Sequence, residues 1–152
     1  LGDVYKRQGL YMVIDKIENG IVLDHIRAGN AMVLYRYLRL DELDCCVAII
    51  KNVKSQKMGR KDIIKIDSLI DINLDVLGYF DESITVNIIR NGEKVAKKHL
   101  SLPERIVNIV KCKNPRCITS TEQELDQVFR LTDREHRIYR CIYCDSSSSV
   151  LP

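Results

Sequence analysis

The feature that most constrains this chain is a set of four cysteines near its C-terminal end, arranged as two close pairs. Cys112 and Cys117 flank an Asn-Pro turn in KCKNPRC, and Cys141 and Cys144 stand in RCIYC. Two short thiol-bearing turns separated by a longer loop are typical of structural zinc sites, in which four thiolates surround one ion at about 2.3 Å. The spacing predicts one structural Zn²⁺ ion per chain, with no open position for a catalytic water.

Other uses of these thiols stay open at this point. Two disulfides or unrelated buried thiols are the alternatives, and His136 is a rival metal ligand. No charged and apolar leader with a cleavage site indicates export, and a reducing cytosol favours metal over disulfide. We therefore expect a cytoplasmic protein. Cys45 and Cys46 are adjacent at the start of a strand, so they face opposite sides and are interpreted as structural.

The patterning divides the chain at LPERI. We expect a non-native head at 1–10, a first domain at 11–102, a zinc-binding domain at 103–145 and a non-native or disordered tail at 146–152. The third segment is too short to fold on apolar burial alone. Metal binding has an apparent free energy on the order of 10–16 kcal/mol in small metal domains, and it supplies the stability that apolar burial lacks.

The first domain shows an alternation of strand and helix patterns. Strands are predicted in YMVIDKI, IVLDHI, CVAIIKNV, KDIIKI, ITVNIIR and KVAKKHL, the last two joined across Asn91-Gly92, which favours a type I′ turn. Apolar residues at helical spacing predict one helix ending near Arg39 and another around Leu74–Phe80. The order β-α-β-β-α-β with an extra hairpin strand predicts an α+β fold: a ferredoxin-like antiparallel sheet with two helices on one face, followed by a small all-β zinc-binding domain.

Strand alternation predicts which side chains share a face of this sheet. In KDIIKI, Ile64 and Ile66 lie on one face, and Lys61, Ile63 and Lys65 on the other. In ITVNIIR, the apolar residues pack under the helices and Asn87 lies opposite. The helix-free face therefore carries lysines and an asparagine, a pattern that an ordinary solvated face would also show.

Charge and hydropathy exclude several classes of protein. The formal net charge of +3 is too small to indicate a nucleic-acid or membrane-surface partner. Basic and acidic side chains nearly cancel between the cysteine pairs, where a nucleic-acid reader would show a basic excess with stacking aromatics. No apolar run is long enough to cross a membrane. A protein-docking module fits this part of the chain better.

Several blocks of sequence together identify a family. IENGIVLDHIRAG, MGRKDIIKID, TVNIIRNGEKVAKK, LSLPERIVNIVKCKNPRCI and CIYC follow one another in unbroken order from about Tyr11 to Asp145. This combination resembles the regulatory chain of aspartate carbamoyltransferase. The resemblance implies a non-catalytic subunit with an N-terminal domain that binds nucleotide effectors and a C-terminal zinc domain that docks onto the catalytic chains, which act in pyrimidine biosynthesis.

The resemblance also implies partners and effectors. Regulatory chains form homodimers that bridge two catalytic trimers. Cytidine triphosphate, often with uridine triphosphate, is the expected inhibitor and adenosine triphosphate the expected activator.

The family's nucleotide-site motifs map onto particular positions of this chain. Backbone groups near the base, ribose contacts and phosphate contacts are implied at Asp15, Ile17, Val22, Asp24, His25, Lys61, Lys65, Asn87 and Lys97. A carboxylate suits ribose hydroxyls, and a protonated imidazole suits a phosphate. Gly92 and Lys94 depart from the family's larger hairpin residues near the base.

Two other hypotheses belong to different classes. A freestanding zinc-ribbon module could bind protein or nucleic acid. An enzyme could use Cys45 or Cys46 as nucleophile with His25 as base, although no oxyanion donor or third orienting group can be named.

Overall fold

The computed structural model describes residues 17–149, and the elements within them follow the predicted order. The predicted strand YMVIDKI lies outside the described residues apart from Ile17, as do the predicted head and Asp15. The elements are β1 (Gly20–Arg27), α1 (Ala31–Tyr37), β2 (Val47–Ser55), β3 (Gly59–Ile66), α2 (Leu74–Phe80), β4 (Thr85–Arg90), β5 (Glu93–His99), β6 (Arg105–Val107), β7 (Val128–Asp133), β8 (Ile138–Cys141) and β9 (Ser147–Ser149). No helix among the described residues has the length and apolar character needed to cross a membrane.

The first sheet is antiparallel throughout, with strand order β2-β3-β1-β4-β5. Its buried face is built by the residues that alternation assigned to it, since Ile64 and Ile66 are fully buried on β3 and Val86 is buried on β4. Leu23 lies directly between Ile64 and Val86 across the strands. This five-stranded sheet, two helices in chain order and a later all-β part confirm the α+β class.

The hairpin between β4 and β5 has the turn that Asn91-Gly92 predicted. Both residues have positive φ, 52° for Asn91 and 79° for Gly92, as a type I′ turn requires. The turn is tied to the loop before β1, because the Gly92 backbone N–H donates to the Glu18 carbonyl at 2.9 Å.

The chain forms two compact units that do not follow sequence order. Among the described residues, the first contains 17–73 together with Ser83–Leu100, and the second contains Leu74–Glu82 together with 101–149. Helix α2 belongs to the second unit, where the Tyr79 ring meets Tyr139 edge-on with centroids 5.4 Å apart. Gly78 permits this packing, since a Cβ there would lie 2.3 Å from the Ser101 carbonyl oxygen.

The second unit contains an antiparallel sheet with strand order β6-β7-β8-β9. Strand β9 falls within the segment that the sequence analysis set aside as a tail, and it pairs with β8 through Ser147 opposite Arg140. Ile106, Phe129 and Cys141 form one buried row across three strands of this sheet. The first ligand of the second cysteine pair therefore lies in the unit's core.

Candidate metal centre and ligand-binding face

The four predicted cysteines converge in the second unit. The sulfur atoms of Cys112, Cys117, Cys141 and Cys144 all lie within 4.8 Å of one another. Cys112 Sγ is 3.6 Å from Cys144 Sγ, and Cys117 Sγ is 3.8 Å from Cys141 Sγ. Four sulfurs placed tetrahedrally at about 2.3 Å from one ion lie about 3.8 Å apart. The cluster therefore fits a tetrahedral four-thiolate metal site.

Backbone hydrogen bonds hold each cysteine pair in place. In the first pair, the Cys112 N–H donates to Gln127 Oε1 at 2.9 Å, and the Cys117 N–H donates to the Asn114 carbonyl at 3.1 Å. In the second pair, the Asp145 N–H donates to the Cys141 carbonyl at 2.9 Å, closing the turn with Asp145 at φ 62°. The thiols are thus positioned by the chain around them.

The surroundings of the thiols favour a bound cation. Hydrogen bonds from Thr119, whose hydroxyl lies 3.1 Å from Cys117 Sγ, lower the pKa of Cys117. A hydrogen bond from Ser146 lowers the pKa of Cys144 to about 6. Burial raises the pKa of Cys112 to about 12. A positive ion between the four sulfurs would favour the thiolate form of each.

The geometry does not fit the alternative interpretations, which were disulfide bonds or His136 as a metal ligand. All four cysteines are free, and sulfurs separated by 3.6 and 3.8 Å are far beyond the disulfide bond length of about 2.05 Å. His136 is exposed, and its Nδ1 lies 2.8 Å from Asp133 Oδ2. It is not a member of the cysteine cluster.

A second group of predicted site residues lies in one row across the first sheet. Lys65 on β3 is directly opposite Val22 on β1, Val22 is opposite Asn87 on β4, and Asn87 is opposite Lys97 on β5. Residues directly opposite one another point to the same face. Adjacent strands are about 4.8 Å apart, so the row is about 14 Å wide. This is the face opposite the buried Leu23 and Ile64.

A bulge in β1 brings Asp24 and His25 together on the sheet. Regular alternation would send these neighbours to opposite faces. The β1–β3 register shifts between Leu23 and Ile26, and His25 takes a left-handed conformation with φ 58°. His25 Nδ1 consequently lies 4.0 Å from Asp24 Oδ2. Non-glycine residues in this conformation cluster at functional sites, where their cost is balanced by the surrounding structure.

Asp24 is already engaged by one of the predicted lysines. Lys61 Nζ lies 2.9 Å from Asp24 Oδ1, and both side chains are largely buried. Burial of Asp24 opposes its ionisation, but the hydrogen bonds from Lys61 and from the His25 N–H outweigh it and hold the pKa of this carboxyl below its ordinary value. The result is a fixed carboxylate–ammonium pair on the sheet.

His25 is held neutral by its surroundings. Its Nδ1 lies 3.0 Å from the Thr85 hydroxyl. Burial lowers the pKa of His25, and the charges of Lys61, Lys57 and Lys97 lower it further, against the opposing effect of Asp24. A neutral imidazole among lysines is placed to gain a proton when an anion arrives.

Asn87 carries a buried acceptor that no described residue uses. Its side chain is 5 % exposed, and Oδ1 has no hydrogen-bond partner among the described residues. A buried polar atom without a partner costs about 1–3 kcal/mol. A ligand hydroxyl or amino group donating to this oxygen would remove that cost.

Two of the three residues expected to contact the base through their backbone lie within the described part of the chain. Val22 lies in the centre of the row, and Ile17 is buried immediately before β1. Asp15 lies outside the described residues.

Sequence reasoning missed two polar residues of these sites. Thr85 is opposite Asp24 on the neighbouring strand and contacts His25, and Thr119 donates to Cys117. The strand register reveals the role of Thr85, and the local turn after Cys117 reveals the role of Thr119.

Fold and sites together define a two-unit chain that presents a lysine-bearing sheet face and a four-cysteine metal cluster. Residues 12–101 match the family model described as aspartate carbamoyltransferase regulatory chain, allosteric domain. Residues 104–150 match the one described as the metal binding domain of the same chain. This protein belongs to the aspartate carbamoyltransferase regulatory chain family.

Curated relatives carry the same description. Proteins of Clostridium botulinum and Clostridium acetobutylicum are each 48 % identical over 134 residues, covering 88 % of this chain and 92 % of the relative. A Bifidobacterium longum protein is 42 % identical over 139 residues, covering 91 % of this chain and 100 % of the relative. All are named aspartate carbamoyltransferase regulatory chain.

Proposed function

We propose that this chain is the non-catalytic regulatory subunit of an aspartate carbamoyltransferase, and that it binds nucleoside triphosphates on the face of its first sheet. The row formed by Lys65, Val22, Asn87 and Lys97 carries this proposal. It joins two separated cations to a buried acceptor that has no hydrogen-bond partner between Ile17 and Ser149. An extended ligand with a hydroxyl-bearing middle and an anionic tail matches that arrangement.

Each part of the nucleotide has a chemically suitable group on the face. Lys97 and His25 suit the phosphates, with a proton on His25 favoured once the phosphates arrive. Asp24 and Asn87 Oδ1 are acceptors suited to ribose hydroxyls. Main-chain groups at Ile17 and Val22, with Asp15, are proposed to read the edge of the base.

The second unit is proposed to hold zinc and to dock onto the catalytic chain. Four cysteine ligands in a closed tetrahedron suit Zn²⁺. Three apolar side chains next to metal ligands are exposed: Ile118 at 50 %, Ile142 at 39 % and Tyr143 at 41 %. Exposed apolar groups on a metal-stiffened loop are suited to a protein partner. Four cysteines that form a metal cluster and no disulfide also favour a reducing compartment, and we propose a cytoplasmic location.

Control of the catalytic trimers is proposed to follow from differential affinity. Homodimers of this chain would bridge two trimers, and an effector would shift their equilibrium only if it binds one quaternary state more tightly. Cytidine triphosphate, with or without uridine triphosphate, is the proposed inhibitor and adenosine triphosphate the proposed activator. Such coupling is typically about 1–3 kcal/mol.

Substitution of Lys97 by alanine is expected to weaken nucleotide binding at least about tenfold, which corresponds to about 1.4 kcal/mol. The loss follows from removal of a cation that faces the phosphates. Calorimetric titration of the zinc-loaded chain with cytidine and adenosine triphosphate measures it. Lys98→Ala is the matched control, because Lys98 is opposite Val86 and so belongs to the other face of the same strand. Equal affinities in the two variants would remove Lys97 from the site.

The protonation of His25 offers a second test. Because burial and the nearby lysines lower its pKa, His25 is expected to titrate below about 6.5 in the free protein. A bound triphosphate should raise that value by favouring the imidazolium. Proton-detected NMR titration of the ring with and without nucleotide reports both. The exposed His136 serves as the internal control, and its resonances should not respond to nucleotide. A His25 pKa that stays constant on saturation would exclude contact with the phosphates.

A further inference from the structure

The outer face of the second unit's sheet carries arginines in register. Arg105 on β6 is directly opposite Arg130 on β7, and Arg130 is directly opposite Arg140 on β8. Like charges directly opposite one another destabilise a sheet. The near-neutral composition of this segment does not reveal the arrangement, because it is the strand register that places three arginines in one row.

Two members of this arginine row have partners and one does not. Arg130 Nη2 lies 3.5 Å from Asp145 Oδ1, with the Arg130 side chain 55 % exposed. Arg140 Nη1 donates to the Asp145 carbonyl at 3.0 Å. Arg105 is exposed and makes no hydrogen bond or ion pair with the part of the chain from Ile17 to Ser149. No residue in this range occupies its guanidinium.

An open depression lies at the free end of the row. It has a volume of about 440 Å³ and is lined by Glu104, Arg105, Arg130, Leu131, Thr132 and Arg134. Arg134 is anchored, because its Nη1 donates to the Leu102 carbonyl at 3.1 Å. Three arginines and one acidic residue therefore line the depression.

We propose that this depression is a binding site for a compact, multivalent oxyanion of the phosphate class, held by Arg105, Arg130 and Arg134. A planar guanidinium presents paired N–H donors that match two oxygens of such an anion. Anchoring of Arg134 reduces the entropy lost on binding, and the anion relieves the repulsion between Arg105 and Arg130.

The site is independent of the nucleotide proposal, since its residues all belong to the second unit. Inorganic pyrophosphate is the probe, titrated into the zinc-loaded full chain by calorimetry at low and at physiological ionic strength. We expect saturable binding that weakens steeply with salt. In the Lys97→Ala background, which weakens the nucleotide face, Arg105→Gln should weaken binding at least about fivefold, and Arg105→Gln with Arg130→Gln should abolish saturation. Because Arg105 contacts no partner, its variant should retain the circular dichroism of the parent chain.

Matched variants identify where the anion binds. Arg116→Gln removes the same charge from an exposed position of the same unit outside the row and should leave binding unchanged. Lys97→Ala removes a proposed phosphate contact of the nucleotide face, and one saturable pyrophosphate site should remain in this variant. Loss of pyrophosphate binding in Lys97→Ala, equal weakening in Arg116→Gln, or no saturable binding to the parent chain would each overturn the proposal. The source of the anion is tested in the Lys97→Ala variant by comparing tripolyphosphate with adenosine triphosphate. Equal affinities would identify a free anion as the ligand. Tighter binding of adenosine triphosphate would identify the phosphate tail of a nucleotide as the ligand.

Discussion

Replacing Cys141 with serine is expected to abolish metal binding and to unfold the second unit. Cys141 is 1 % exposed and lies in the buried row with Ile106 and Phe129. A serine hydroxyl does not replace a thiolate as a soft metal ligand. Once the metal ion is lost, the three remaining cysteines have no positive charge between them. Metal binding in small domains has an apparent free energy of about 10–16 kcal/mol, which far exceeds the stability of a unit of this size.

Metal content of the purified variant and the near-ultraviolet circular dichroism of its tyrosines measure this loss. Tyr139 is a sensitive reporter, because it is fully buried and its hydroxyl donates to the Pro103 carbonyl at 2.6 Å. Cys46→Ser is the control: Cys46 is free and exposed, outside the cluster, and its replacement should leave one metal ion per chain. Retention of stoichiometric metal and native tyrosine dichroism in Cys141→Ser would show that the cluster does not hold the unit together.

Replacing Asp62 with alanine is expected to destabilise the first unit by at least about 3 kcal/mol. Asp62 is fully buried on β3. Its Oδ2 accepts from the Gly29 N–H at 3.0 Å and the Ala31 N–H at 3.2 Å, and its Oδ1 accepts from the Asn52 N–H at 2.8 Å. One carboxylate thus joins the start of α1 to strand β2. Alanine would leave three backbone donors without their acceptor.

Urea denaturation of the zinc-saturated chain, followed by circular dichroism, measures the change. Asp67→Ala is the matched control, since Asp67 is exposed just beyond the end of the same strand, and it should alter the free energy of unfolding by less than about 0.5 kcal/mol. If both variants unfold at the same urea concentration, the Asp62 hydrogen bonds contribute nothing to stability.

The order of helices and strands along the chain and the metal cluster could be predicted because they depend on local patterns. Alternation placed Ile64 and Ile66 on the buried face, and Asn91-Gly92 set the hairpin turn. Cysteine spacing brought four sulfurs together because each pair lies on its own short turn. These features need no knowledge of distant contacts.

The bulge at Asp24 and His25 could not be predicted from alternation. Its left-handed residue is a histidine, with no glycine to signal it, and the register shift depends on pairing with β3. Asp62 was missed for a similar reason, since an acid on the buried face of a strand is explained only by three backbone donors from distant segments. The contact of Tyr79 with Tyr139, which places α2 in the second unit, also depends on residues far apart in the chain.

The most direct test of the regulatory role is the aspartate saturation curve of catalytic trimers reassembled with this chain, recorded with and without nucleoside triphosphates. Coupling of about 1–3 kcal/mol predicts that saturating effector changes the relevant affinity by about 5- to 150-fold. The curve should move to higher aspartate with cytidine triphosphate and to lower aspartate with adenosine triphosphate. Curves that superimpose under all conditions, in an assembly shown to contain both chains, would contradict the regulatory role.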